Sequence, residues 1–268
     1  MLLACASHTP QTLVECATHH HRSQFGEDTW LLPTLLLASG RGQLHSQHSF
    51  VEIGAYDGTT ISNTYLLEKC CNWTGTLIEA NPANFAALNS SDRHATKVHA
   101  AVCKQAGTIN ITINGGVFAG VDGVVKSRRA QGRGAAPVPC NSLTSILASA
   151  HHPHHIDFMS LDVEGAEAEV LETLDARRIR VIAVESAGRP AQSRQLVAQQ
   201  LGSAKLIRIP QTVGPNDIWV RSDVEVVEMG PMLFGRNVTH QFAYEFAKPF
   251  APHVLRAKLE DVAQKLRL

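Results

Sequence analysis

Short apolar runs alternate with longer amphipathic segments along most of the chain. We interpret the runs as buried strands, because they are short and rich in branched and aromatic residues. They lie at residues 50–54, 76–80, 97–102, 156–163, 181–185, 204–209 and 217–221. Helices are predicted between them, near residues 60–70, 82–88, 142–148, 166–174 and 191–201. This alternation is typical of an α/β fold, with a mainly parallel sheet and helices on both faces.

The segments outside this alternation have different patterns. Residues 11–48 form a predicted helical lead-in, with a break or a helix start at Pro33. Residues 107–113 resemble an additional strand, residues 114–137 have no assignable pattern, and an amphipathic helix that we expect to pack on its own domain ends the chain. We therefore predict a lead-in at 1–48, a sheet domain at 49–223 and a C-terminal extension at 224–268.

The composition of the chain limits the classes of partner that it can bind. The 268 residues include 24 basic and 24 acidic side chains, so the net charge is zero and attracts neither nucleic acid nor an anionic membrane. No apolar run approaches the roughly 20 residues that span a bilayer. The apolar start, MLLACA, is too short for the core of a signal peptide. We expect no nucleic-acid partner, no membrane span and a cytoplasmic location.

The cysteines and glycosylation sequons bear on the compartment. The six cysteines show no C-x-x-C spacing, and we interpret them as reduced, partly buried thiols. Four N-x-S/T sequons, at Asn72, Asn89, Asn110 and Asn237, would be used only in a secretory lumen, which remains the alternative location. Asn110 falls within a predicted strand, so we interpret its sequon as accidental. The histidine-rich HHPHH at 151–155 is interpreted as a solvated loop rather than a metal site.

Polar residues collect where predicted parallel strands end, the edge at which open α/β sheets bind ligands. Tyr56 and Thr59 stand where a G-x-G-x-x-G motif after Gly54 needs glycines, which argues against NAD or FAD. Glu79 ends the second strand, where an acid can bind ribose hydroxyls, although a carboxylate that caps the next helix is the alternative. Asp162 and Glu164 alternate along a strand and should point oppositely unless the turn has begun, with Asp162 facing the pocket.

Five segments together resemble the FkbM-type S-adenosylmethionine-dependent methyltransferases over roughly residues 23–222: SQFGED, FVEIGAYDGTTISNTYLLEK, NWTGTLIEANP, VPCNSLTSIL and IDFMSLDVEGAEAEVL. The resemblance implies the seven-stranded Rossmann-like sheet of class I methyltransferases, with a reversed last hairpin. It also implies O-methylation of a hydroxyl on a sugar, a glycan or a secondary metabolite.

The same resemblance assigns residues to the cofactor, S-adenosyl-L-methionine. Glu52, Gly54 and Gly58 would form the cofactor motif, with the glycines admitting the methionine portion, and Glu79 would bind the ribose. Ala101 and Val102 would border the adenine, and Asp162 would lie near the methionine end.

For catalysis, an acceptor hydroxyl needs a base or a metal ion beside it. The candidates are Asp162, Glu164 and Glu185, and we favour a metal-free carboxylate base over a Mg²⁺ site. SQFGED is interpreted either as a lid, with Asp28 or Gln24 facing the pocket, or as a cap for the following helix. A rival from another class is a non-catalytic protein resembling the Star proteins of animal secretory traffic.

Overall fold

The computed structural model describes residues 9–40, 48–112, 120–121, 135–229 and 251–266. Its helices are α1 (Pro10–His20), α2 (Glu27–Gly40), α3 (Tyr65–Cys71), α4 (Pro82–Ser90), α5 (Leu143–Ser149), α6 (Glu167–Leu171), α7 (Ala191–Ser203) and α8 (Pro252–Lys265). Its strands are β1 (Ser49–Ile53), β2 (Thr74–Glu79), β3 (Thr96–His99), β4 (Ala101–Val102), β5 (Gly107–Thr112), β6 (Gly120–Val121), β7 (Ala135–Asn141), β8 (Ile156–Leu161), β9 (Ile179–Glu185), β10 (Leu206–Val213) and β11 (Asn216–Arg221).

Seven strands form one sheet in the order β10-β11-β9-β8-β1-β2-β3. Strands β3, β2, β1, β8 and β9 pair in parallel, whereas β11 runs antiparallel to both β9 and β10. This arrangement confirms the predicted α/β fold, the seven-stranded sheet and its reversed last hairpin.

Both faces of the sheet are buried. Alternate residues of a strand point to opposite faces, and the apolar runs of β1 and β8 therefore supply two separate clusters. Phe50 and Phe158 pack on one face with residues of α1, α2, α3 and α8. Val51 and Met159 pack on the other face with residues of α5, α6 and α7. Because both faces are covered by helices, the strands are apolar throughout rather than alternating.

The terminal helices belong to the first of these clusters. Leu255, Leu259 and Val262 of α8 pack with Leu13 and other residues of α1 and α2, which confirms that the last helix packs on its own domain. Pro33 lies inside α2, so the prediction of a break or a helix start there is wrong. The domain boundaries at 48 and 223 stay predictions. Within the described ranges, no helix has both the length and the apolarity needed to cross a membrane.

A second, four-stranded sheet has the order β4-β7-β5-β6. The run predicted as one strand over 97–102 divides between the two sheets, because β3 ends at His99 and β4 pairs with β7. The strand predicted at 107–113 is confirmed as β5. Much of the unassigned span at 114–137 lies outside the described residues.

The state of the cysteines differs from the prediction. Cys16 of α1 is bonded to Cys70 of α3, and Cys103 is bonded to Cys140 of β7. The interpretation of these residues as reduced thiols is therefore wrong. The spacing of cysteines along the sequence could not reveal these pairs. The two cysteines of each pair are 54 and 37 residues apart, and they meet only when the helices and the small sheet pack.

Candidate active site at the carboxyl edge of the sheet

The turns after β1 and β8 meet at the carboxyl edge. Gly54 has a φ of +84°, and a Cβ there would lie 2.0 Å from the backbone oxygen of Asp162. The Asp162 N–H donates to the carbonyl oxygen of Ile53 at 3.2 Å, and the Gly54 N–H donates to that of Ile78 at 3.0 Å. Gly54 therefore allows three strand ends to approach each other closely.

Gly58 serves a different contact. Its φ is +78°, and a Cβ would lie 2.5 Å from Cδ1 of Leu88 on α4. Both glycines thus have a reason in the packing of the turn that is independent of any ligand. Their predicted role in admitting the methionine portion of the cofactor stays a prediction.

Glu52 lies on β1, and its buried side chain contacts the loop that precedes α3. Its carboxylate accepts hydrogen bonds from Oγ of Ser62 at 2.8 Å, from the Asn63 N–H at 2.9 Å and from Oγ1 of Thr64 at 2.5 Å. Burial raises the pKa of Glu52, and the positive charge of Arg93, 3.9 Å away, acts in the opposite direction. These contacts make Glu52 a positioning residue for residues 62–64.

Glu79 connects the turns that follow β1 and β2. Its Oε2 accepts a hydrogen bond from the Tyr56 N–H at 2.8 Å, and its Oε1 accepts one from the Asn81 N–H at 2.7 Å. Burial raises the pKa of Glu79 to about 7, against the effect of these hydrogen bonds. The side chain of Asn84, on α4, also donates a hydrogen bond to this carboxylate. The alternative of a helix cap is wrong, because Asn81 caps α4 through the Ala83 N–H.

Ala101 and Val102, the predicted adenine neighbours, form β4. Ala101 is buried with Ile111 and Val138 in the core of the small sheet, and Val102 is half-buried. Sequence analysis missed a stacked pair of rings nearby: Phe85 and His99 have centroids 4.7 Å apart, and Nε2 of His99 lies 3.2 Å from the carbonyl oxygen of Ala80. The adenine contacts stay a prediction.

Three acids converge where β8 and β9 end. Oxygens of Asp162, Glu164 and Glu185 all lie within 4.8 Å of one another. Asp162 and Glu164 do not point oppositely, because β8 ends at Leu161 and Glu164 has a left-handed backbone with a φ of +56°. The turn has begun before both side chains, so both reach the same cluster.

Arg189 is the central residue of this cluster, and sequence analysis missed it. Its guanidinium contacts Glu185, lies 3.4 Å from Glu164 and lies 3.8 Å from Asp162. Its Nε also lies 3.3 Å from the buried carboxylate of Glu167, which was missed as well. A lone arginine in the segment AGRP after β9 gave no signal, because three of its four acidic partners lie at residues 162–167, after a different strand.

The acids outnumber the cation. Burial and the charge of Asp162 raise the pKa of Glu164 to about 7, while Arg189 lowers it. Burial likewise raises the pKa of Glu167 and of Asp162. The Asp162 side chain is 46% exposed as a whole. Its Oδ1 atom, however, is buried and has no hydrogen-bond partner among the described residues. The Arg189 guanidinium offsets the charge of one carboxylate only. Repulsion among the remaining carboxylates therefore favours a protonated carboxyl group in this cluster near neutral pH.

SQFGED borders this edge. Asp28 accepts hydrogen bonds from the N–H of Arg22 at 2.8 Å, from that of Ser23 at 3.2 Å and from that of Thr29 at 2.7 Å. Asp28 is buried and thus orders the start of α2, as the cap interpretation predicts, and the lid interpretation stays a prediction. Gln24 is exposed. Glu27 accepts a hydrogen bond from Nδ2 of Asn216 at 2.7 Å, which connects the segment to the β10–β11 hairpin.

Residues 52–209, more than half of the chain, match the family described as the methyltransferase FkbM domain. Among solved structures, the chain is similar to the precorrin-6y C5,15-methyltransferase of Geobacter metallireducens GS-15, with 12% identity, a TM-score of 0.38, and coverage of 70% of this chain and 87% of that one. It is also similar to the methyltransferase FkbM of Methylobacillus flagellatus KT, with 13% identity, a TM-score of 0.42, and coverage of 79% and 57%. Among curated proteins, none matches.

Proposed function

This chain belongs to the FkbM methyltransferase family, and on that premise we propose that it transfers a methyl group from S-adenosylmethionine to a hydroxyl oxygen. The acceptor class is a sugar, a glycan or a secondary metabolite. The single observation that carries the proposal is the cluster of Asp162, Glu164 and Glu185 around Arg189 at the carboxyl edge of the sheet.

The residues present fit the cofactor. S-adenosylmethionine, when bound, supplies a methyl carbon on a positively charged sulfur. The excess of carboxylates at Asp162, Glu164 and Glu167 suits a ligand that carries a sulfonium and an ammonium. Glu79 would bind the ribose hydroxyls, because it ends β2 at the carboxyl edge and its carboxylate is oriented by the N–H groups of Tyr56 and Asn81. Asp162 would bind the ammonium through its exposed part.

Glu164 is our first choice for the base. An alcohol is a weak nucleophile until its proton has an acceptor, and a base works best when its pKa lies near the working pH. The pKa of Glu164 is raised to about 7, and its side chain is 24% exposed, so a substrate proton can reach it. Asp162 and Glu185 are the alternatives. The chain would otherwise contribute alignment of the acceptor oxygen, which can supply much of the acceleration.

A divalent cation at Asp162, Glu164 and Glu185 is the competing arrangement, because their oxygens are close enough to share an ion. We favour the metal-free arrangement, since the Arg189 guanidinium already contacts these three carboxylates. Treatment with EDTA followed by Mg²⁺ or Mn²⁺ separates the two. Unchanged turnover in EDTA supports the base, whereas loss and recovery of turnover support the cation.

The proposed function is tested in two steps. Calorimetry should show saturable binding of S-adenosylhomocysteine. Transfer of labelled methyl from S-adenosylmethionine should then be measured with a panel of sugars, glycans and hydroxylated metabolites. Binding of NADH in place of S-adenosylhomocysteine would contradict the methyltransferase function.

The second candidate is a non-catalytic Star-like protein of secretory traffic that retains the fold. The two disulfides favour it in one respect, because disulfides form in oxidising compartments. Binding of S-adenosylhomocysteine with no transfer to any member of the panel would support this candidate. Transfer that is lost in Glu164→Gln would exclude it.

A further inference from the structure

Two disulfides indicate the compartment in which this chain matures. Cys16–Cys70 and Cys103–Cys140 have Cα separations of 5.9 and 5.7 Å, within the range that a disulfide requires. In the described part of the chain, every cysteine is paired. Disulfides persist in the secretory lumen and outside the cell and are rare in the cytosol.

The same compartment is where asparagines in N-x-S/T sequons receive glycans. Asn72 stands before Trp73 and Thr74, and Asn89 stands before Ser90 and Ser91. Both asparagines are exposed in the fold. Asn72 lies just past the end of α3, and Asn89 lies in the last turn of α4. Neither position is inside a strand, so a bulky group on either side chain would disrupt no sheet pairing.

The topology places both asparagines at the amino edge of the large sheet. Asn72 precedes Thr74, where β2 begins. Helix α4 starts after the carboxyl end of β2 and returns toward the start of β3, so Asn89 in its last turn lies at the amino edge as well. The acid cluster around Arg189 lies at the opposite edge. Groups attached to Asn72 and Asn89 would therefore leave the candidate active site accessible.

We propose that this chain matures in an oxidising secretory lumen and that Asn72 and Asn89 are N-glycosylation sites on the amino edge of its sheet. The disulfides and the exposed sequons are independent observations, and an oxidising secretory lumen is a compartment in which disulfides persist and sequons are used. The proposal does not depend on the methyltransferase activity. Asn110 is not included, because it lies within β5, between β7 and β6.

The two modifications, glycosylation and disulfide formation, exchange the following bonds, protons and electrons. At each asparagine, the side-chain nitrogen bonds to the anomeric carbon of an oligosaccharide carried on a lipid diphosphate. The bond from that carbon to the phosphate oxygen breaks, the lipid diphosphate leaves, and the amide loses one proton. At each cysteine pair, two thiols lose two protons and two electrons to the disulfide of a thiol oxidoreductase, which is reduced to a dithiol.

The test uses the full protein isolated from cells that make it naturally. Treatment with a peptide N-glycosidase in ¹⁸O-water should convert Asn72 and Asn89 to labelled aspartate and increase electrophoretic mobility. Maleimide should label Cys16, Cys70, Cys103 and Cys140 only after reduction. Unmodified asparagines at both positions would overturn the glycosylation sites, and labelling of all four cysteines before reduction would overturn the oxidising compartment.

Variants expressed from the full gene in the same cells identify the sites. Asn72→Gln and Asn89→Gln should each increase mobility by one step, and the double variant by two. Thr74→Ser and Ser91→Thr are the matched controls, because they retain the hydroxyl of the sequon, and they should migrate as the wild type. Wild-type mobility for the double variant would contradict the assignment. Measuring S-adenosylhomocysteine affinity alongside separates this failure from failure of the proposed function.

Discussion

The acids at the two ends of β8 differ in how many donors and cations surround them. Asp157, at the amino edge, is 3% exposed and accepts hydrogen bonds from the Ser49 N–H at 2.9 Å and from Arg180 at 3.1 Å. His48 and His155 lie 3.6 and 3.5 Å from its Oδ2. Burial alone would raise the pKa of Asp157, but the proximity of His48, the Ser49 N–H and the charge of Arg180 lower it overall.

At the carboxyl edge, several acids share one cation, whereas Asp157 alone has several donors. Asp162, Glu164, Glu167 and Glu185 share Arg189, and the pKa values of the first three are raised. One carboxylate with several donors stabilises the fold, whereas several carboxylates with one cation oppose it. Groups with perturbed pKa values concentrate at functional sites. Asp157, at the amino end of β8, is therefore a structural acid, whereas the acids beyond its carboxyl end are candidate catalytic groups.

The largest expected effect is on turnover. Glu164→Gln should lower kcat at least about a hundredfold, the low end for general-base catalysis, while S-adenosylhomocysteine still binds. Asp162→Asn should lower turnover as well. Asp157→Asn is the matched control at the other end of β8 and should retain kcat in the folded fraction. Full activity of Asp162→Asn, Glu164→Gln and Glu185→Gln with a proven acceptor would leave positioning as the mechanism.

A smaller effect is expected on cofactor affinity. Glu79→Ala should weaken S-adenosylmethionine binding by about 1.5–3 kcal/mol, the range for a hydrogen bond to a charged group. The measurement is calorimetry, supported by circular dichroism, because the N–H groups of Tyr56 and Asn81 also lose their acceptor. Glu79→Gln retains one oxygen acceptor and should lose less affinity than Glu79→Ala. Wild-type affinity in folded Glu79→Ala would remove Glu79 from the ribose site.

Stability should respond oppositely at the two ends of β8. Asp157→Asn should lower the free energy of unfolding by roughly 1–3 kcal/mol, because buried donors lose a charged acceptor. Glu164→Gln should raise it at pH 8, since the change removes one of several like charges. Urea unfolding of both variants measures the difference. Destabilisation of equal size in both would show that the two acids have the same structural role.

The smallest effect is the pH dependence of the cofactor-free protein. Burial raises the pKa values of Glu27, Glu79 and Glu164 from 4.5 to about 7. Between these values the folded state binds more protons than the unfolded state, so stability from these groups is complete below about 4.5 and is lost as pH rises through about 7. Asp157, with a lowered pKa, loses its contribution as pH falls below about 4. Burial lowers the pKa of His152 from 6.5 to about 4, so His152 acts in the opposite direction below pH 6.5. A melting temperature that rises from pH 6.5 to pH 8 would therefore contradict the raised values.

The sequence by itself determined the order of strands and helices and the edge at which the acids gather. Apolar runs in β1 and β8 predict strands buried on both faces, because only apolar side chains can cover both sides of a parallel sheet. Ser142 and Asn81 precede helices, and both accept hydrogen bonds from helix N–H groups in the structure. Such signals are local, since each depends on residues only a few positions apart.

Only the tertiary structure decided which distant groups meet. Cys16 pairs with Cys70 because α1 packs on α3, and the predicted strand over 97–102 divides because Val102 pairs with Asn141 of another sheet. Arg189 contacts acids from two stretches of the chain, residues 162–167 and Glu185, and the convergence of Asp162 with Glu164 depends on one left-handed residue. Burial and charge at these positions are set by neighbours remote in sequence. A pKa depends on the solvent and the charges within a few ångströms, which the order of residues does not specify.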